Sequence, residues 1–184
     1  MLVVGLTGSI GMGKSAVAAR LRALGIGVCD ADAEVHKLYE GRAVPAIEAA
    51  FPGTTAAGKV DRQKLAAALL AEPDKFKCLE AIVHPLVFEA ERAFLRGEAA
   101  RGAGMAVIEV PLLLETGGEK RVDVVIVVGA SAEIQRQRVM QRPGMTLQRL
   151  EQMLARQMPD ADKRARRFRC GHRGHLRRHL RPSR

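Results

Sequence analysis

The residues Gly8-Ser9-Ile10-Gly11-Met12-Gly13-Lys14-Ser15 place glycines, a lysine and a hydroxyl in the order G-x-x-x-x-G-K-[ST]. Glycines let a backbone wrap closely around a polyphosphate, and successive N–H groups at the start of a helix point their positive ends at the anion. Lys14 would neutralise the β and γ phosphate oxygens, and the Ser15 hydroxyl would ligate Mg²⁺. The expected ligand is a nucleoside triphosphate held along Gly8, Ser9, Ile10, Gly11, Met12, Gly13, Lys14, Ser15 and Ala16.

Further residues of the right chemistry recur along the chain. Asp30-Ala31-Asp32 follows a short apolar run. Asp30 reads equally as a helix N-cap or as part of a ligand edge, while Asp32 can accept a proton from a substrate hydroxyl. Glu109 ends another apolar run and suits a metal held through water. His84, beside Pro85, reads first as a packed or capping side chain. Arg136, Arg138 and Arg142 form either a solvated basic face or a lid that brings guanidinium groups to a transferring phosphate.

These groups need a scaffold. Leu2 to Thr7 reads as a buried strand, and Ser15 to Leu24 as a helix with Val17, Leu21 and Leu24 on its apolar face. A short second strand ends at Cys29, Met105 to Val110 is a third, and Val122 to Val128 is a fourth with the continuous apolar run of a parallel strand covered on both faces. Residues 33–101 show no strand pattern. Helices are expected near 33–39, 44–51, 61–71 and 74–100, with Asp61 a cap, Pro52-Gly53 a break and Pro85 a kink. Two more helices, 132–141 and 147–158, flank Arg142 to Thr146. An insertion as long as 33–101 usually forms a substrate-binding lobe.

Composition narrows the class. The chain has 184 residues, 47% hydrophobic and only 3% aromatic, with no Trp. That suits one domain with an aliphatic core, and platforms for stacking bases are scarce. Cys29, Cys78 and Cys170 lack disulfide or zinc spacing, no apolar run reaches the length of a membrane span, and a reducing cytoplasm is expected. The net charge of +10 belongs to the end of the chain. Residues 163–184 hold ten Lys and Arg and no acid, so the rest of the chain balances.

The ordered set Gly5-Leu6-Thr7-Gly8 before the loop, Asp30-Ala31-Asp32, Asp61-Arg62 with Leu65, His84-Pro85, Val110-Pro111-Leu112-Leu113 with Glu115, Gln135 with Arg138 and Arg142, and Gln157 resembles dephospho-coenzyme A kinases from Met1 to about Arg166. The resemblance implies an α/β, three-layer P-loop kinase fold with a mostly parallel sheet. It also implies a nucleotide-binding core (1–32 and 102–131), a helical substrate-binding insertion (33–101) and a helical lid (132–158). It implies ATP-dependent phosphorylation of the ribose 3′-hydroxyl of dephospho-CoA, with Mg²⁺, in a cytoplasmic monomer. By position, Asp32 matches the family's base and Arg142 its lid arginine. His84, Pro111, Leu112, Leu113 and Glu115 would surround the CoA substrate, and Ser15 and Glu109 would serve the metal. Ala16 stands where the family commonly has Thr, and Glu109 where Asp is common.

After Arg166 the resemblance stops. A family member would add a fifth strand, a turn beside adenine and a closing helix, whereas Arg167 to Leu176 shows no strand period. Suitable codons for those residues, read one base later, spell Asp-Phe-Val-Ala-Asp-Thr-Gly-Ala-Ile, an apolar strand and turn. The tail is therefore expected to be a frameshifted ending, with weak ATP binding as its consequence. The other readings of 163–184 are a basic arm for nucleic acid or anionic lipid and a solvated end. For the whole chain, the alternatives are another small-molecule kinase, acting on a nucleoside monophosphate or a sugar acid, and a non-catalytic nucleotide-binding module.

Overall fold

The computed structural model describes residues 1–165. The expectations for the rest of the tail, the frameshifted strand and the basic arm among them, lie outside the described residues. By internal contacts the chain forms two compact units, Met1–Cys29 with the chain from Leu95 onward, and Asp30–Phe94.

In the first unit, strands β1 (Leu2–Thr7), β2 (Gly27–Asp30, whose last residue opens the second unit), β5 (Met105–Glu109) and β6 (Val124–Val127) form one sheet in the order β2-β5-β1-β6. β1 pairs in parallel with both neighbours, Leu6 opposite Glu109 on one side and Ile126 on the other. Central position explains its composition: Val3, Val4 and Leu6 are all buried. Helix α1 (Lys14–Ala23) packs on this sheet through Val17, Ala18 and Leu21, against Val4, Leu6 and Val107. Leu24, expected on the same face, is 61% exposed because the helix ends one residue before it and the chain turns at Gly25 (φ 78°).

The run from Val122 to Val128 does form a strand, but it is not covered on both faces. None of its four strand residues is buried, and Ile126 is 40% exposed, since β6 is the end strand of the sheet among the described residues. Helices α6 (Ala132–Met140), α7 (Leu147–Ala155) and α8 (Asp160–Ala165) follow. The side chains of Ser131 and Thr146 cap α6 and α7 by accepting the Ile134 and Arg149 N–H groups. α8 was not foreseen. Its Lys163, grouped by charge with the tail, is wholly buried with Nζ 2.8 Å from Glu115, and Arg164 pairs with Asp160 at 2.7 Å.

The second unit is mostly helical: α2 (Ala31–Tyr39), α3 (Val44–Ala50), α4 (Arg62–Ala71) and α5 (Phe76–Ala100), the last running on into the first unit. Leu38, Ile47, Phe51, Leu65, Leu69, Val83 and Val87 are among its buried apolar residues. The sequence pattern shows no strand here, yet Thr55–Ala56 (β3) and Lys59–Val60 (β4) pair as an antiparallel hairpin. Two-residue strands are too short to display alternation. What forms them is the Ala57-Gly58 turn, both residues at positive φ, and the Glu48 carboxylate, which accepts the Gly53 and Thr55 N–H groups and the Thr55 hydroxyl. Those hydrogen bonds, led by the one from Gly53, hold the Glu48 pKa below its ordinary value. α5 continues through Pro85 without ending, so the expected kink does not divide it.

Candidate functional site

The cradle begins where β1 runs out. The Thr7 hydroxyl donates to the Pro111 carbonyl at 3.0 Å, and the Val128 N–H donates to the Thr7 carbonyl, so the strand end is fixed from both sides. A Cβ on Gly8 would stand 2.6 Å from the Val128 carbonyl oxygen. Gly11 (φ 76°) leaves space that Val139 fills to within 2.6 Å of its missing Cβ, and Gly13 (φ 95°) is the left-handed residue that opens α1. Among the described residues, the N–H groups of Gly11, Gly13, Lys14 and Ser15 find no protein acceptor. Orphan donors at the N-terminus of a ten-residue helix form an anion cradle.

Lys14 points from this cradle to Glu109, the acid at the end of β5, with Nζ 2.5 Å from Oε1. Glu109 is 2% exposed, and Arg22 lies 3.7 Å from its other oxygen with a side chain 45% exposed. Lys14 and Arg22 are eight residues apart on α1, two turns along one face. That spacing is the signal that reveals Arg22, which sequence reasoning passed over. Ser15 is exposed in the first turn of the helix. The Ser15 hydroxyl and the Glu109 carboxylate are oxygen donors of the kind Mg²⁺ takes. Among the described residues no group of three or more His, Cys, Asp or Glu forms a metal cage.

α6 sits on the loop. The Gln135 amide donates to the Ile10 carbonyl at 2.7 Å, Arg138 reaches the Gly11 carbonyl at 3.5 Å, and Val139 fills the space beside Gly11. These positions, i, i+3 and i+4, share one helix face. Between α7 and α8, Gln157 accepts the Ile10 N–H at 3.1 Å. Arg136 and Arg142 are exposed, Arg142 just past the end of α6.

The segment after β5 divides by direction. Leu113 is 1% exposed, and its methyl stands 2.5 Å from where a Cβ on Gly5 would be. Glu115 turns inward to accept the Met158 N–H and to pair with Lys163, each at 2.8 Å. Burial pushes the Glu115 carboxyl up, but those partners together outweigh burial and hold its pKa below 4.5. Pro111 contributes its carbonyl to Thr7, and Leu112 is the exposed side chain of the segment.

Asp32 and His84 belong to the Asp30–Phe94 unit. Asp30 is the N-cap of α2, accepting the Asp32 and Ala33 N–H groups at 3.0 and 3.2 Å. Asp32 is exposed in the first turn of that helix, so the capping role falls to its neighbour. His84 is exposed on α5 and stacks on Phe88, ring centroids 5.9 Å apart.

Comparison with known proteins assigns the scaffold. The dephospho-CoA kinase family model matches residues 2–168. The dephospho-CoA kinase of Rhodopseudomonas palustris (strain ATCC BAA-98 / CGA009) is 58% identical over 90% of this chain and 83% of its own length. That of Brucella melitensis biotype 1 is 55% identical over the same shares. Among solved structures, a Thermus thermophilus protein superposes with a TM-score of 0.78 at 37% identity, over 91% of this chain and 85% of its own. The dephospho-CoA kinase from Campylobacter jejuni gives 0.64 at 25% identity, over 88% and 82%. With the family model matching residues 2–168 and a curated relative 58% identical over nine-tenths of the chain, the chain belongs to the dephospho-CoA kinase family, enzymes of the final step of coenzyme A biosynthesis.

Proposed function

We propose that this chain transfers the γ-phosphoryl group of ATP to the ribose 3′-hydroxyl of dephospho-CoA, giving CoA and ADP. The observation that carries this reading is Lys14, held at the mouth of a cradle of orphan N–H groups by a buried Glu109. An ammonium resting on an acid at that point can pass to phosphate when the nucleotide arrives. The loop N–H groups take the phosphate oxygens, and Lys14 neutralises the β and γ oxygens as charge shifts toward ADP. Ser15, with Glu109 through water, would hold Mg²⁺, whose chemistry is to neutralise and orient the β and γ phosphates.

Asp32 orients the acceptor hydroxyl and takes its proton as the new O–P bond forms and the bond to ADP breaks. Arg142, exposed beyond α6, supplies charge to the equatorial oxygens. By their match to the family's motifs, His84 and the segment 111–115 would contact the acceptor, with Leu112 the exposed side chain of that segment. The inward Leu113 and Glu115 shape the segment from beneath. In-line transfer needs positioning and charge neutralisation above all, and these residue types supply both.

The proposed setting is cytoplasmic and monomeric, without nucleic acid. Cys78 is a free thiol, and among the described residues no helix is long and apolar enough to cross a membrane. The test is ADP release from ATP with a panel of acceptors. Turnover of dephospho-CoA supports the reading. Turnover of a nucleoside monophosphate or sugar acid alone, or nucleotide binding without any turnover, would reject it.

A further inference from the structure

Both backbone polar groups of Ile10, in the two peptide units that flank its Cα, are held by side chains that arrive from far along the chain. The Ile10 carbonyl accepts from Gln135 Nε2 at 2.7 Å, 125 residues away, and the Ile10 N–H donates to Gln157 Oε1 at 3.1 Å, 147 residues away. A carbonyl can only accept and an N–H can only donate, so each amide has one productive orientation: Gln135 must act as donor and Gln157 as acceptor. Gln135 is buried. The residue after Gln157 is fixed in turn, because the Met158 N–H lies on Glu115 Oε1, itself paired with the buried Lys163.

The Ile10 carbonyl shares a peptide unit with the Gly11 N–H, one of the donors that find no protein acceptor among the described residues. Gly11 and Gly13 tolerate many backbone conformations, so glycine composition alone does not select the one in which the N–H groups of Gly11, Gly13, Lys14 and Ser15 converge. Something outside the loop has to restrict it. Ile10 is a residue at which the surrounding structure grips the loop by hydrogen bonds to both the backbone donor and the backbone acceptor. Val139 adds a wall beside Gly11.

We propose that Gln135 and Gln157 are positioning residues for phosphoryl transfer, a two-sided clamp on the backbone of Ile10, one glutamine on each peptide unit flanking its Cα, that orders the cradle for the nucleotide's phosphates. The clamp also ties the loop to α6, which carries Arg136 and Arg138 with Arg142 just beyond it, and to the α7–α8 connection. Nucleotide affinity therefore depends on how these two segments are seated, with no contact between either glutamine and the reacting atoms. The inference rests on reading Gly8 to Ser15 as the ATP phosphate site.

The experiment measures ADP affinity by calorimetry, with ATP and dephospho-CoA KM values and melting temperature, for Gln135→Met and Gln157→Met. Methionine keeps side-chain length and removes the hydrogen bond. Each variant is expected to weaken ADP binding about fivefold to tenfold and raise the ATP KM to match. The dephospho-CoA KM should stay within about twofold, and the melting temperature within a few degrees. The double variant should lose less than the two singles combined, since both groups hold the backbone of one residue.

A charged pair adds a readout that packing alone would not move. Gln157→Glu keeps an acceptor for the Ile10 N–H, while Gln135→Glu loses its donor. Both add the same charge near the phosphates, so Gln135→Glu should bind ADP more weakly. Wild-type ADP affinity in both Met variants would overturn the clamp, as would losses in ADP and dephospho-CoA binding that simply track lost melting temperature. Lys14→Met separates the two failures. If it weakens ADP binding and the glutamine variants do not, the clamp alone fails; if it too leaves ADP binding unchanged, the phosphate-site reading fails with it.

Discussion

Replacing Lys14 by Met removes two functions at once, and the structure allows them to be separated. Glu109 is 2% exposed, and Lys14 is its near partner at 2.5 Å. Removing one member of a buried pair costs about 3–5 kcal/mol, because the other charge stays out of water without compensation. Arg22, 3.7 Å from the second oxygen and half exposed, moderates this. The expected loss for Lys14→Met is therefore at the low end, about 3 kcal/mol. For a chain of this size that lowers the melting temperature by about 6–12 °C. Adding Glu109→Gln removes the uncompensated charge while preserving shape. The double variant should melt within about 2 °C of the parent. Its turnover of ATP and dephospho-CoA should remain absent, because the phosphates still lack their cation. Thermal melting followed by a coupled ADP-release assay makes the comparison. A single variant that melts like the parent would refute the buried pair, and a double variant that recovers turnover would refute the catalytic role of Lys14.

Asp32→Asn should keep ADP affinity and melting temperature but slow turnover by about 10²–10⁴-fold, the usual range for loss of a general base. Asp30→Ala should instead cost about 1 kcal/mol of stability through the lost cap of α2, so the pair distinguishes catalysis from capping by melting and kinetics together. Glu115 has a folded pKa below its ordinary 4.5, so its contribution to stability is present above that value and is lost as pH falls through the depressed folded pKa. Melting temperature between pH 6 and pH 3 should thus fall less steeply for Glu115→Gln than for the parent, to the order expected of about one titrating group. The gene's codons for Arg167 to Leu176, read one base later, should spell an apolar strand and turn; codons that cannot do so would end the frameshift account of the tail.

Local chemistry made much of this protein legible. The phosphate loop is written in residues whose backbone freedom and charge have few other uses together, and Asp61 announces α4 by accepting the Gln63 and Lys64 N–H groups. Asp30 was open between cap and ligand edge because both roles ask for the same residue, and only the α2 geometry decides for the cap. The pairing of Lys14 with Glu109 spans 95 residues, and the two grips on Ile10 span more, so no periodicity could show them. The β3–β4 hairpin is hidden for the opposite reason: its strands are too short to carry a pattern, and its first strand is held by Glu48 from a preceding helix. Continuous hydrophobicity in Val122 to Val128 suggested a covered strand, but burial depends on what lies alongside, and β6 stands at the end of the described sheet.

The central claim is that the Lys14 cradle is the donor half of a kinase whose acceptor is the 3′-hydroxyl of dephospho-CoA. Incubating the full chain with Mg²⁺, γ-labelled ATP and dephospho-CoA, then locating the label in the product, tests it most directly. Label on the ribose 3′-oxygen, forming at the rate of ADP release and abolished in the Lys14→Met/Glu109→Gln variant, is the predicted result. ADP release that proceeds without labelled CoA, or label transfer that survives loss of Lys14, would contradict it.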